Sequence, residues 1–314
     1  MVDITAPRFK TEKAARKHLE AVRWPDGPIC PHCGSVDNAH RITGKSARPG
    51  LWFCADCRSQ FTVTVGTVFE RSKIPLHKWL LAVHLMSASK KGISAHQLHR
   101  MLGVTYKTAW FMAHRIREAM RPGADFGPIG GSGKIVEADE TYVGGKEKNK
   151  HVSKRNAKNI GGMGKQIVFA LVERQGHVRS QVVPSVSSKT LRPIVVAQVS
   201  RKSTLMADDA GQYRLIGPEF ARHELVNHGA GEYVRGDAHT NTIEGYFSIL
   251  KRGIAGVYHH VSPQHLKRYL GEFDFRYNER AALDVTDDER ADKALQGIAG
   301  KRLTYRRTDQ RAYI

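Results

Sequence analysis

GDAHTNTIEGYFSILKRG, residues 236–253, decides how the rest of this chain is read. It reads as the start of a helix that carries an acid, Glu244, and a base seven residues later, Lys251. Seven residues are about two helical turns, so both side chains lie on one face. Two acids upstream stand at the ends of apolar runs: Asp139 in Lys134-Ile135-Val136-Glu137-Ala138-Asp139, and Asp208 in Thr204-Leu205-Met206-Ala207-Asp208. Three carboxylates from two strand ends and one helix can hold two divalent cations for phosphoryl chemistry.

The chain has 314 residues, enough for two or three domains with a substantial core. Its 50 Lys and Arg against 30 Asp and Glu give a net charge of +20. Such an excess draws a protein to polyanions and makes that binding salt-dependent, so the phosphodiester is expected in DNA. No apolar run reaches the ~18 residues of a membrane span, and Met1 to Lys17 lacks the apolar core of a secretory signal. The expected location is cytoplasmic, on the nucleoid when bound to DNA.

The pattern along the chain predicts an α+β multidomain protein. Residues 1–23 read as a short amphipathic helix, residues 24–70 as a turn-rich cysteine-bearing domain, and 71–121 as a helical module. Residues 122–133 are rich in glycine and proline and read as a linker. From Lys134 strands take over: Lys134–Asp139, Ile167–Glu173 and His177–Val183, with Arg174-Gln175-Gly176 as a hairpin turn. A helix over Leu191–Val199, a strand over Thr204–Ala207, a helix over Ala210–Ile216, a strand over Glu224–Asn227 and helices over 240–252 and Pro263–Tyr277 follow. Three strands, helix, strand, helix, strand and two helices is the order of a ribonuclease-H-like mixed-sheet α/β domain, placed here at 134–284. Lys146–Lys165 reads as an exposed basic loop, and 285–314 as a charged, loosely ordered tail.

All four cysteines fall between residues 30 and 57, as Cys30-Pro31-His32-Cys33 and Cys54-Ala55-Asp56-Cys57. Each pair can form a knuckle presenting two sulfurs, and four thiolates complete a closed, structural Zn²⁺ site. A redox dithiol pair is the rival reading. His32 and His40 are read as surface residues.

In the helical module, Trp79–Ser89 reads as a first helix, and Ser94 with Gln97 as a capping box for a second. Gly103-Val104-Thr105 makes the turn into a third helix running to Met120. The pattern suggests a helix-turn-helix, with Lys107 and Thr108 near the start of the recognition helix and His114, Arg115 and Arg117 facing phosphates. The alternative is an ordinary helical hairpin.

Each acid has an alternative. In a strand, 135, 137, 139 and 141 share a face, so Asp139 and Glu140 point opposite ways. Asp208 is preferred to Asp209 because it directly ends the apolar run. For both acids the alternative is a turn or capping carboxylate, and Asn241-x-x-Glu244 is itself a capping box at a helix start. Asn241 is read either as that cap or as a group that polarises a metal-bound water or a phosphate. His239 is read as a groove residue.

The paired Cys-x-x-Cys units, the helical module, Ala138-Asp139-Glu140-Thr141-Tyr142-Val143-Gly144-Gly145, Met206-Ala207-Asp208-Asp209 and the 239–253 stretch occur in an order that closely resembles one family. It is that of bacterial insertion-sequence transposases with an N-terminal zinc ribbon and an ISXO-like DDE domain. Val257–Ser262 and Arg276-Tyr277-Asn278 resemble it as well. The resemblance implies Asp139, Asp208 and Glu244 as a triad binding Mg²⁺ or Mn²⁺, with Lys251 and its neighbour Arg252 on DNA. It leaves Asn241 as a residue that shares or replaces the third position. It further implies cleavage and strand transfer at terminal inverted repeats, joining to target DNA, and a homo-oligomer on DNA. A non-catalytic zinc-ribbon regulator and a ribonuclease-H-like nuclease are the competing functions.

Overall fold

The computed structural model describes residues 3–123, 127–145, 147–156, 162–226, 234 and 236–304. The chain divides into two units, one of Met1–Ser89, Ile93–Arg121 and Val285–Ile314, the other of Lys90–Gly92 and Pro122–Asp284.

In the first unit, helix α1 (Glu12–Arg23) starts at Thr11, whose hydroxyl accepts the Ala14 N–H, and buries Ala15 and Leu19. Three short antiparallel strands follow, β1 (Ala39–Arg41), β2 (Trp52–Cys54) and β3 (Gln60–Phe61), paired in that order. Their apolar contact is aromatic: Trp24 meets the edges of Trp52 and Phe61 at 6.0 and 5.8 Å between centroids. So small a core adds little stability, and a bound metal would have to supply the rest.

Helix α2 (Leu76–Ala88) buries Leu76, Trp79, Leu80, Ala82, Val83 and Met86, which form one broad apolar face spanning about 160° of its circumference. It packs against the other helices of this unit, which makes it the central one. Helix α3 (Ala95–Leu102) begins at Ser94, whose hydroxyl accepts the Gln97 N–H, and ends at Gly103 in the left-handed conformation, φ 59°. Glycine has no Cβ to clash at that angle, so the chain turns there at little cost. Thr105 then caps α4 (Tyr106–Met120) by accepting the Thr108 N–H.

The expectation of a loosely ordered tail is corrected. Asp287–Gln296 forms a helix opened by a full capping box between Thr286 and Glu289. This helix, labelled α9 in chain order, packs on α2. Ala291, Ala294, Leu295 and Ile298 are buried, at the spacing of one helical face. Arg290 ties the seam by donating to the Ser87 carbonyl at 3.1 Å and to Asp287 at 2.6 Å. Residues 305–314 of the expected tail lie outside the described residues.

The second unit is built on five strands in the order β6-β5-β4-β7-β8. They are β4 (Ile135–Val143), β5 (Gln166–Glu173), β6 (Val178–Val183), β7 (Thr204–Asp208) and β8 (Arg222–Val226). The strands β4, β5 and β6 are antiparallel neighbours, whereas β7 and β8 run parallel to β4. Parallel neighbours require crossovers, and these are α5 (Ser188–Gln198) and α6 (Gly211–Ile216). Among residues expected in β8, Asn227 lies outside the described residues.

Alternation along the strands sends side chains to two cores. Val136, Ala138, Leu205 and Ala207 pack with Leu191 and Val195 of α5 and Tyr213 and Ile216 of α6. On the opposite face Val168, Ala170 and Val172 pack with two further helices, α7 (Asn241–Gly253) and α8 (Pro263–Asn278). Ile243, Tyr246, Phe247 and Leu250 of α7 are buried there, each contributing roughly 1.5–3 kcal/mol by leaving water. This is the mixed sheet with helices on both faces that the order of elements implies.

Candidate functional site

Register brings the first two acids together. In the parallel pair β4–β7, Ala138 stands opposite Ala207, so Asp139 and Asp208 follow side by side on neighbouring strands about 4.8 Å apart. Strand β4 is longer than expected and continues to Val143 along β5, whereas β7 ends at Asp208. The crevice where a parallel strand stops beside one that runs on is a common ligand position in such sheets.

Parity then sorts the acids. Leu205 and Ala207 face α5 and α6, so Asp208 points to the other side of the sheet, toward α7. Likewise Val136 and Ala138 face α5 and α6, and Asp139 faces α7. Glu140 goes the opposite way, where it accepts hydrogen bonds from the Tyr213 hydroxyl at 2.6 Å and Gln212 at 3.4 Å. Glu244 stands in the first turn of α7 and its charge acts on Asp139, but the three carboxylates do not gather closely enough to share a single ion. The Asp139 carboxyl is pushed up to about 7, first by burial and then by the charges of Glu140, Asp208 and Glu244. Its Oδ1 accepts the Glu140 N–H at 2.7 Å, which only partly offsets that burial.

On α7 the exposed residues Asn241, Glu244, Ser248 and Lys251 follow one another at three- and four-residue steps, so acid and base do share an outward stripe. The capping-box reading of Asn241 is corrected. Thr240 precedes the helix and Asn241 is its first residue, because the Glu244 N–H is already taken by the Thr240 carbonyl at 3.1 Å. The Thr240 hydroxyl donates to Glu244 Oε1 at 3.2 Å. Arg252 is exposed and donates to the Ser248 carbonyl at 3.1 Å.

The four cysteines meet fully. The Cys30, Cys33, Cys54 and Cys57 sulfurs all lie within 4.8 Å of one another, with Cys30–Cys57 at 3.7 Å and Cys33–Cys54 at 3.6 Å. Four sulfurs at this spacing are the donor set of a closed tetrahedral Zn²⁺ site. Among the described residues they are the one group of three or more such side chains close enough to share a single ion. The acids of the sheet offer only hard oxygens, and burial, reinforced by the neighbouring carboxylates, pushes the Asp139 carboxyl up to about 7. Hard oxygen donors suit a divalent cation of the Mg²⁺ kind rather than a thiophilic one.

The expected DNA-contacting residues of α4 separate. Lys107 is exposed at the helix start, and Thr108 shares its hydroxyl with that of Thr105 at 2.9 Å. Arg115 is half-buried, donating to the Leu303 and Glu70 carbonyls, each at 3.2 Å, and lying over the Phe111 ring, 4.9 Å from its centroid. Arg117 and His114 are corrected: they are 2% and 1% exposed, and face the interior instead of phosphates. Lys107, Thr108 and Arg115 line a cleft of about 330 Å³ together with Arg71 and Lys73, two cations that sequence reasoning missed. It also missed Glu137, a fully buried acid on the same strand face as Asp139. A charged residue inside an apolar strand was the available signal.

Residues 130–278 match the ISXO2-like transposase domain, and residues 10–60 match the transposase zinc-ribbon domain. The chain belongs to this family of insertion-sequence transposases with an N-terminal zinc ribbon and a DDE domain. An uncharacterized protein in transposable element ISH50 of Halobacterium salinarum is 30% identical over 286 residues, covering 85% of this chain and 91% of its own length. That relative is archaeal, so the similarity does not carry the bacterial origin expected above. Membership implies phosphoryl transfer and DNA binding. Among the described residues no helix is long and apolar enough to cross a membrane.

Proposed function

We propose that the protein is an insertion-sequence transposase that cuts DNA at the terminal inverted repeats of its element and joins the 3′-hydroxyl to target DNA, with Asp139, Asp208 and Glu244 as its metal-holding acids. The observation that supports this reading is the placement of Asp139 and Asp208 one residue beyond the last β4–β7 pair, Ala138 with Ala207, with the Glu244 charge acting on the Asp139 carboxyl. A bound Mg²⁺ or Mn²⁺ pair would acidify the attacking oxygen and stabilise the leaving one.

The chain's own groups do the rest. Asp139 gives up its proton to become a ligand, and the rigid sheet keeps it beside Asp208. Lys251, two turns along the exposed stripe from Glu244, holds a DNA phosphate, and Arg252 extends that contact. Asn241, freed from capping, reaches a phosphate or a water at the site. In the first unit, Lys107 and Thr108 approach the repeat DNA, with phosphate contacts fixing register and a few side chains reading bases. The ribbon supports that unit through structural Zn²⁺. Two element ends held together call for a homo-oligomer on DNA in the cytoplasm.

The test is a divalent-dependent cleavage and strand-transfer assay on end DNA. Asp139→Asn and Asp208→Asn each lower the rate about a hundred- to a thousandfold, as loss of several kcal/mol of transition-state stabilisation implies. Asp209→Asn stays within about twofold of the parent, since surface changes cost little. Full activity in Asp139→Asn or Asp208→Asn would remove that acid from the site. Hydrolysis with no joining of ends would favour the nuclease reading.

A further inference from the structure

The three acids sit on separate elements, β4, β7 and α7, and one ion pair, its acid buried and its base partly so, touches all three elements. Glu137 is fully buried, two residues before Asp139 on the same face of β4. Its Oε2 accepts the N–H of Ile243 at 2.9 Å, the third residue of α7. The first N–H groups of a helix have no partner within the helix, so a carboxylate from β4 here serves the helix that carries Glu244. Glu137 Oε1 accepts from Arg174 Nε at 2.6 Å.

Arg174 lies in the turn after β5 and spends its other nitrogens on the remaining elements. Nη1 donates to the Asp237 carbonyl at 2.8 Å. Nη2 donates to the His239 carbonyl at 2.8 Å and meets His239 Nδ1 at 2.9 Å. It also reaches the sulfur of Met206 at 3.0 Å, two residues before Asp208 on β7. The Asn241 N–H meets the same His239 Nδ1 at 3.4 Å, which fits a ring whose Nδ1 accepts. The planar guanidinium thus fixes the segment leading into α7 against the strands that bear Asp139 and Asp208.

We propose that Arg174 and Glu137 are positioning residues, which set where Glu244 stands relative to Asp139 and Asp208 and hold the acids ready for a divalent cation. The proposal rests on the reading of those three acids as the metal site. Neither residue touches substrate or cation. Their work is to fix the entry of α7, in the way that partners of metal ligands orient the ligands themselves.

The experiment uses the full-length, zinc-loaded protein and three variants: Arg174→Lys, Arg174→Met and the double Glu137→Met/Arg174→Met. The double removes both charges, so no unpaired charge is left buried. Three quantities are read: amide hydrogen exchange over residues 240–250 without divalent cation, the Mg²⁺ concentration for half-maximal end cleavage, and affinity for end DNA. In all three variants exchange at the start of α7 quickens about tenfold or more while β4 and β5 keep their protection. The Mg²⁺ requirement rises roughly 10- to 100-fold. Affinity for end DNA stays that of the parent. Parental exchange and parental Mg²⁺ requirement in the double variant overturn the proposal. So does loss of the fold in every variant, which would leave the pair a purely structural role. Asp139→Asn serves as control: if it remains active the reading of the acids has failed, whereas if it is dead and the double behaves as the parent, only the positioning role has failed.

Discussion

The ribbon and the acidic crevice, the second read here as the metal site we propose, are opposite in design. In the ribbon, four sulfurs converge within 4.8 Å, and two Cys-x-x-Cys knuckles a short way apart in the chain supply them all. In the crevice, the carboxylates come from positions far apart in the chain: strand register sets Asp139 beside Asp208, and Glu244 stands on a separate helix whose charge acts on Asp139. The sulfur site stabilises a domain with almost no core of its own. The acids of the crevice sit in a unit that has two apolar cores of its own, and their burial there is a cost which that fold bears. A site that must build its fold and a site set into one already cored therefore leave different marks on their side chains.

The sharpest way to break the comparison is to take away the ribbon's metal. Chelation of zinc, or Cys54→Ser, unfolds residues 24–70, since metal binding at such sites is worth on the order of 10 kcal/mol. Limited proteolysis and circular dichroism report it, and protection of β4 and β5 to hydrogen exchange stays at parental level. Melting of the sheet unit on chelation would mean the two regions share one stability.

A smaller effect probes the helical neighbours of the ribbon. Arg117→Ala empties a buried site and lowers unfolding stability by about 2–4 kcal/mol, read from denaturant melts. Lys107→Ala leaves stability unchanged and lowers the salt dependence of DNA binding by about one phosphate contact. A reversal of these two outcomes would place Arg117, not Lys107, on the DNA.

The smallest effect concerns protons at the crevice. The folded-state value of Asp139, about 7, lies above the ordinary carboxylate range. Between that range and pH 7 the folded protein keeps a proton that the unfolded chain has lost, so metal-free stability falls as pH rises through this window and then levels. On the proposed reading, a cation that binds there displaces that proton. Apparent Mg²⁺ affinity, measured by calorimetry, therefore falls about tenfold per unit below pH 7 and is flat above it. Asp139→Asn abolishes the slope. A flat profile in the parent between pH 6 and 7 would show that no such proton is displaced.

The sequence was informative wherever the determining contacts were local. The cysteine knuckles are set by spacing of two residues, and strand parity separated Asp139 from Glu140 before any partner strand was known. It was less so where two residue types compete for one role. Thr240 and Asn241 are both good caps, and only the backbone decides that the helix opens after Thr240. Arg115 and Arg117 were both assigned to phosphates, although residues two apart on a helix lie about 200° apart and cannot share a face. Helix α9 was hidden by its charges, while Ala291, Ala294, Leu295 and Ile298 carried the face that docks it. The Glu137–Arg174 pair joins positions whose proximity depends on the β4–β5 register, and no local pattern announces it.

The order in which the first unit is assembled has one more consequence. Its chain departs at Arg121 and comes back only at Val285, with the entire sheet unit spliced between. On a ribosome, α2 emerges long before the helix that covers it, so the nascent polypeptide carries a bare apolar surface until Asp287–Gln296 is translated. A premature stop anywhere in the inserted stretch leaves that surface uncovered, and the truncated product enters the cell as a substrate for chaperones and proteases instead of as a DNA-binding fragment.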